Sequence, residues 1–438
     1  MASTKITYLP GTAPTNNKFT FSCWFRRCNI GTDQVLFEGR QNGSNLSSMK
    51  FNTADQFQVY SENSGTTNVL VKPTRKFRDT SAWYHLVVTV DTTINSVGDR
   101  VKIYINGVRE TSFATATYPA QNYGNWWFGI GPNVTQTVGS DTGSEKFDGL
   151  MSHVYYTIGY AYQASTFGST DSVTGEWKIN ANATIANYGS TGFFIFKNNN
   201  SLTNLTGSGK NFTLGSGALT KTEDCPSNIF CTWNTNYRGT RKDMTLTNGA
   251  TFIFEQNSGD SSVSGTIAVS GSGKYYWEQR IAQVNGTNAA VAGAMHSTED
   301  WSTTPDEVSG NNNTFGVRSN GNAYKNGSNL GSVTAATYNN DILGIGFDVD
   351  NARVFLWRNG VAQNSGNAII TGIDTSKNWI PFGIQHGGAR VTTSTNFGNG
   401  YFQATAISSA GTNASGNGVF EYNVPSGYTA LSTKGLNL

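Results

Sequence analysis

Paired carboxylates are the first residues to weigh, because two acids flanking one bond can hydrolyse a glycan. Asp348 and Asp350 stand two apart in DVDNA, and on an extended strand that spacing would set both side chains on one face, roughly 6.6 to 6.8 Å apart. They lie between GIGF and RVFLW, however, where a hairpin turn is the cheaper use of short acidic side chains. The adjacent Asp306 and Glu307 would point to opposite faces of a strand. Four histidines, His85, His153, His296 and His386, are scattered and none has a convincing local Ser, Cys or Asp partner, so no nucleophile triad is legible. His85 and His153 fall in strand-like runs and read as structural. No HExxH, P-loop or dinucleotide fingerprint is present, which removes the usual signals for zinc hydrolysis and nucleotide binding. Cys23 with Cys28 and Cys225 with Cys231 have C-x4-C and C-x5-C spacings, poor matches to zinc motifs, and read as reduced structural thiols.

What the chain has in quantity is aromatic surface: 10 Trp, 19 Tyr and 25 Phe. Neighbouring Trp126 and Trp127 must face opposite ways if extended, so one packs inward with Phe128 or Ile130 and the other faces out as a sugar-stacking platform. Trp301 in HSTEDWSTTPDE and Tyr324 in SNGNAYKNGSN read as loop aromatics available to a ligand. The clearest basic cluster is KPTRKFR, with Lys72, Arg75, Lys76 and Arg78, followed by RGTRK at 238 to 242. Such runs are usually solvated loops; a functional one would meet an acidic neighbour or an anionic polysaccharide and weaken with salt.

The elements that must position these residues are strands. HLVVTV, VKIYI, WWFGI, GFFIF, KYYWEQRI, DILGIGF and RVFLW are short, β-branched or aromatic, and bounded by Gly, Asn and Ser, the signature of an all-β chain. In FTFSCWF, Phe19, Phe21, Cys23 and Phe25 alternate onto one face. Asn106-Gly107, Asn248-Gly249, Asn326-Gly327 and Asn359-Gly360 predict tight turns at positive φ. The 438 residues suffice for two β-sandwiches, with a joint expected near Glu223 that separates 1–222 from 223–438. A net charge of +2 with only 13% charged residues argues against a nucleic-acid binder resting on many phosphate contacts. No apolar run approaches the roughly 20 residues of a membrane span, and no signal segment opens the chain, so synthesis in a cytoplasm is expected. No fibre-shaft repeat is visible.

Several segments carry a resemblance. YLPGTAPTNNKFTFSCWFRR, VLFEGR, WYHLVVTVD, VKIYINGVR and FDGLMSHVYYTIG resemble laminin-G-like, concanavalin-A-type jelly-roll domains over roughly residues 1 to 220. GKYYWEQRI, ILGIGFDVDNARVFLWRNGV and WIPFGIQHGGARVTTSTNFG resemble a SPRY domain, also a two-sheet sandwich. TFGSTDSVTGEWK, the stretch 188 to 217 and the closing FEYNVPSGYTALSTKGLNL look like versions found in tailed, particularly aquatic, bacteriophages. The resemblance implies a non-enzymatic virion surface protein, a capsid decoration, knob or fibre, with lectin-like recognition of a host glycan. It would touch other virion proteins and form a symmetric oligomer such as a trimer. A tail-associated adhesin, a polysaccharide depolymerase and an intracellular SPRY adaptor are the rival readings; the E-x-D-x-x-E pattern of related hydrolases is absent from the first half. No cofactor is implied apart from calcium, which laminin-G-like domains often hold, with Asp91, Asp99, Asp141 and Asp148 the available ligands.

Overall fold

In a computed structural model the chain is described except for residues 1–3, 11–15, 130–133, 208–210, 239–243, 256–260, 286–289, 298–312, 337–338, 386–389 and 438. It divides into two compact units, Met1–Leu219 and Thr220–Leu438. Each is built from β-strands, and helix is confined, among the described residues, to 3-10 turns such as Val97–Asp99 and Ala164–Thr166.

The first unit is a sandwich of an eight-stranded and a six-stranded sheet. The larger runs Phe113–Thr117, Thr66–Pro73, Phe57–Asn63, Asn45–Phe51, Gln34–Asn42, Thr135–Val138, Lys5–Tyr8 and Thr213–Ser216; the smaller runs Phe193–Ile195, Gly149–Ile158, Lys18–Arg27, Tyr84–Asp91, Val101–Ile105 and Val108–Arg109. The alternation in FTFSCWF does what it promised: Phe19, Phe21, Cys23 and Phe25 are wholly buried between the sheets. Phe21 stacks on Phe37 of the opposite sheet with ring centres 5.3 Å apart, and each buried ring contributes about 1.5–3 kcal/mol. The four cysteines are free thiols, and burial raises that of Cys23.

The other face of this central strand is buried as well. Thr20, Ser22 and Trp24 lie beneath a cover formed by Tyr162, Ala164, Phe167, Trp177, Ile185 and Tyr188, packed over Val87, Tyr155 and Phe194. Hence the strand is polar and aromatic on its outer face without being exposed there.

The second unit pairs a seven-stranded sheet with a larger one. The central strand Lys274–Asn285 lies between Ile342–Asp348 and Arg390–Asn396 and takes a short parallel partner, Thr429–Ala430. Its core holds Trp233, Trp277, Phe315, Phe347, Trp379 and Phe397. The outer face is covered by the C-terminal segment, where Phe420, Val424, Tyr428 and Ala430 pack on Tyr276 and Phe230.

Turn chemistry follows the sequence closely. Both residues of each expected Asn-Gly turn take positive φ: Asn106 and Gly107 at 48° and 78°, Asn248 and Gly249 at 54° and 70°, Asn326 and Gly327 at 49° and 78°, Asn359 and Gly360 at 50° and 77°. One expected strand is absent: in WWFGI, residues 126 to 129 are loop and turn with no strand partner, and Ile130 lies outside the described residues.

Candidate functional site: one end of the first sandwich

The loops at one end of the first sandwich are tied together by buried amides and hydroxyls. Asn16 Nδ2 donates to the carbonyls of Trp126 (2.5 Å) and Phe128 (3.4 Å). Thr92 Oγ1 donates to the carbonyls of Asn17 (3.2 Å) and Tyr123 (2.8 Å), and Thr191 Oγ1 donates to that of Gly129 (3.3 Å). Segments far apart in the chain therefore meet at one rim, each loop satisfying the backbone of another.

Trp126 and Trp127 divide as their adjacency requires, although the chain between them is not a strand. Trp126 is fully buried, its ring 5.1 Å from Phe19, so this indole is core and cannot touch a ligand. Trp127 is half-buried at the rim. Its N–H donates to Ser47 Oγ, its indole Nε1 donates to the Glu62 carbonyl, and its own carbonyl accepts from Gln136 Nε2, each at 3.0 Å. That carbonyl lies against Gly39, where a Cβ would approach to 2.1 Å. Around it Asn63 Nδ2 donates to Asn68 Oδ1 (2.9 Å) and to the Tyr123 hydroxyl (2.6 Å), and the Tyr60 hydroxyl donates to the Glu62 carboxylate. Burial raises Tyr123 and Tyr60 above the ordinary phenol range, Glu62 adding to the second. The rim thus offers a fixed indole, two phenols and several amides, groups suited to a ligand rich in hydroxyls.

The other candidates are placed differently. Tyr324 sits in the strand Asn322–Lys325, not in a loop; it is buried, with the Arg318 guanidinium 4.7 Å over its ring. Turns at both of its ends made a four-residue strand look like one loop. Trp301, Asp306, Glu307, His386 and residues 239–242 of the second basic run lie outside the described residues. In the first basic run, Arg75 pairs with Glu110 (2.6 Å) and Arg78 with Asp55 (3.0 Å), while Lys76 is exposed and Lys72 half-buried. Asp55 also holds buried Arg27 (3.1 Å) and the Gly31 N–H (2.7 Å); burial works to raise it, and these partners outweigh burial and hold it low. Half of the expected positive patch is therefore spent on internal pairs.

Several of the acids and histidines weighed for catalysis or metal binding make structural contacts. Asp348 accepts from the Asn351 N–H (3.1 Å) and side chain and pairs with Lys274 at 3.2 Å, while Asp350 accepts from the Gly273 N–H at 2.8 Å. These two acids lock the hairpin and its neighbouring turn. Buried His85 stacks on Trp24 (4.8 Å) and takes a hydrogen bond from Trp177 Nε1 at Nδ1 (2.9 Å). An indole can only donate, so Nε2 carries the proton and donates to Ser22 Oγ at 2.9 Å. Ser22 is thus not activated by this imidazole, which burial, with a small effect of His153, lowers to about 3. His153 Nδ1 lies 2.8 Å from Ser152 Oγ, and burial brings this ring down to about 4. Of the acids considered for calcium, Asp91 binds Thr93 and Lys18, Asp99 binds Arg109, and Asp141 accepts from the Glu145 N–H. Asp148 is buried and thereby raised to about 6. Among the described residues no three His, Cys, Asp or Glu side chains come together as a metal site.

One buried carboxylate that sequence reading missed is Glu278. It accepts from the N–H groups of Glu421 (2.8 Å) and Tyr422 (2.9 Å), and burial raises it to about 7. Alternation with inward Trp277 puts it on the outer face, and only the cover by residues 420–430 buries it there.

Residues 3–156 match the family model described as the concanavalin A-like lectin/glucanases superfamily. Residues 3–156 are thus similar to laminin-G-type, concanavalin A-like jelly-roll domains. Among solved structures, the chain is similar to the SPRY domain of human HERC1, at 15% identity over 37% of this chain and 96% of that one, with a TM-score of 0.31. It is similar to domain 4 of AbnA, an extracellular arabinanase from Geobacillus stearothermophilus solved with arabinotriose, at 22% identity over 35% of this chain and 67% of that one, TM-score 0.26. It is also similar to tailspike protein 2 of the Escherichia coli bacteriophage CAB120, at 13% identity over 37% of this chain and 22% of that one, TM-score 0.28. No curated protein matches the sequence.

Proposed function

We propose that this chain is a non-enzymatic recognition protein displayed on the exterior of a bacteriophage particle, where its N-terminal lectin-like domain binds a glycan of the host surface. The observation that carries the reading is the rim at Trp127: a half-buried residue whose indole Nε1, backbone N–H and carbonyl are each hydrogen-bonded, beside Tyr60, Tyr123, Asn63 and Asn68. Pre-ordered aromatic and amide groups bind polyols without a large ordering cost. The second unit, SPRY-like in its motifs, would serve attachment to other virion proteins, and a symmetric assembly would add multivalency to weak sugar contacts.

Gold-antibody labelling of purified particles, with mass spectrometry of the same particles, tests the placement. Gold over the head supports a decoration or knob, gold at the tail moves the protein to host attachment, and absence from particles removes the virion reading. Host envelope polysaccharide incubated with the purified chain should release no reducing ends; release that vanishes in Asp348→Asn would make the protein a depolymerase.

A further inference from the structure

At the same end of the first sandwich, on the outer side of the six-stranded sheet, the chain leaves the strand Gly149–Ile158 and passes through Tyr160 and Tyr162. Three threonines from three different strands hold this crossing. Thr20 Oγ1 donates to the Tyr160 carbonyl (3.1 Å) and accepts from the Tyr162 N–H (2.7 Å). Thr157 Oγ1 donates to the same Tyr160 carbonyl (3.0 Å), and Thr89 Oγ1 donates to that of Tyr162 (2.6 Å). The side chains are held too. Asn187 Nδ2 donates to the Tyr160 hydroxyl at 2.6 Å, while the Tyr162 hydroxyl accepts from the Asn187 N–H (3.0 Å) and donates to the Asn187 carbonyl (3.1 Å). The two rings lie 6.2 Å apart and within 23° of parallel.

Covering the sheet accounts for Tyr162, which packs against the buried cluster that holds Val87, Tyr155 and Phe167. It does not account for Tyr160, which remains 39% exposed although its carbonyl is bonded twice and its hydroxyl once. A surface tyrosine ordinarily keeps its rotamer freedom; here the conformational cost of holding a ring still has been met before any ligand arrives. Because the Tyr160 hydroxyl accepts from Asn187, its own proton is left to donate outward, as is the second Nδ2 hydrogen of Asn187. These groups are uncharged, so they suit a neutral sugar ring better than an anionic one.

We infer that Tyr160, Tyr162 and Asn187 form a second, pre-ordered subsite for a neutral glycan, with one pyranose face against the Tyr160 ring and its hydroxyls accepting from Tyr160 and Asn187. The inference rests on the glycan reading of the first domain and adds a location that the Trp127 rim does not supply. The test is equilibrium binding of the full-length chain to immobilised tetrasaccharides of glucose, galactose, mannose and N-acetylglucosamine, with Tyr160→Ala, Tyr160→Phe and Trp127→Phe compared at matched thermal midpoints. Tyr160→Ala should weaken binding about tenfold or more, Tyr160→Phe should lose less because the ring face remains, and the effect should persist in high salt. Wild-type binding that Tyr160→Ala leaves unchanged would overturn the subsite while leaving the glycan reading in place; binding lost only in Trp127→Phe would do the same and put the ligand at the rim. A wild-type chain that binds none of the four sugars would overturn both. If Tyr160→Ala does not fold, Tyr160→Leu, with apolar bulk but no ring face, replaces it under the same expectations.

Discussion

Both sandwiches cover the outer face of a central strand, and they do so by different chemistry. In the first unit the cover is pinned by neutral hydroxyls: Thr20, Thr89 and Thr157 hold the backbone at 160–162, and His85 stays a neutral hydrogen-bonding ring under Trp177. In the second, the C-terminal segment is pinned by the buried carboxylate of Glu278, which receives the N–H groups of residues 421 and 422. A neutral clamp holds its segment independently of that segment's charge state; a carboxylate clamp ties its cover to pH. The difference marks the first cover as a fixed support for surface groups and the second as the more perturbable one.

The largest effect is expected from breaking the second clamp. Glu278→Ala leaves two part-buried N–H groups without acceptors and should destabilise the second unit by roughly 3 kcal/mol or more, read by denaturant unfolding. The pH dependence sharpens the contrast. Burial raises the folded carboxyl to about 7, above its unfolded value of about 4.3, so between these values the folded chain keeps a proton that the unfolded chain releases. The stability linked to that proton is complete below the unfolded value and is lost as pH rises through about 7. Wild type should therefore lose about 3–4 kcal/mol across that window, and Glu278→Gln should flatten the slope; an identical slope in both chains would remove Glu278 as its source.

The rim of the first unit is expected to break sterically. A methyl group at Gly39 would sit 2.1 Å from the Trp127 carbonyl, so Gly39→Ala should cost about 1–3 kcal/mol and weaken glycan binding by displacing Trp127. Unchanged binding with a lowered thermal midpoint would separate the rim from recognition. At the small end, Lys76→Gln on the exposed basic run should alter stability by less than about 0.5 kcal/mol and leave glycan affinity unchanged; a clear loss of binding would return that run to consideration.

How much of this was legible in the sequence depends on the range of the signal. Strands such as Tyr84–Asp91 and the four Asn-Gly turns are local, set by side-chain branching and by positive φ, and they were readable. The opposed directions of Trp126 and Trp127 were also local, but a strand needs a partner to hydrogen-bond, and 126–129 has none. Tyr324 misled because short strands between Asn- and Gly-rich turns resemble loops. The Tyr160 clamp joins residues as far apart as Thr20 and Tyr162, and the Glu278 latch reaches across 143 positions to Glu421. Neither leaves a pattern in its own neighbourhood, since a threonine or glutamate on an outward strand face looks solvated until a distant segment covers it.

The most direct test of the central claim is a binding isotherm of host envelope polysaccharide on the full-length chain, measured at low and at high salt. Recognition by neutral aromatic and amide groups predicts saturable binding that survives high salt. Absence of binding, or binding that disappears as salt rises, would contradict it.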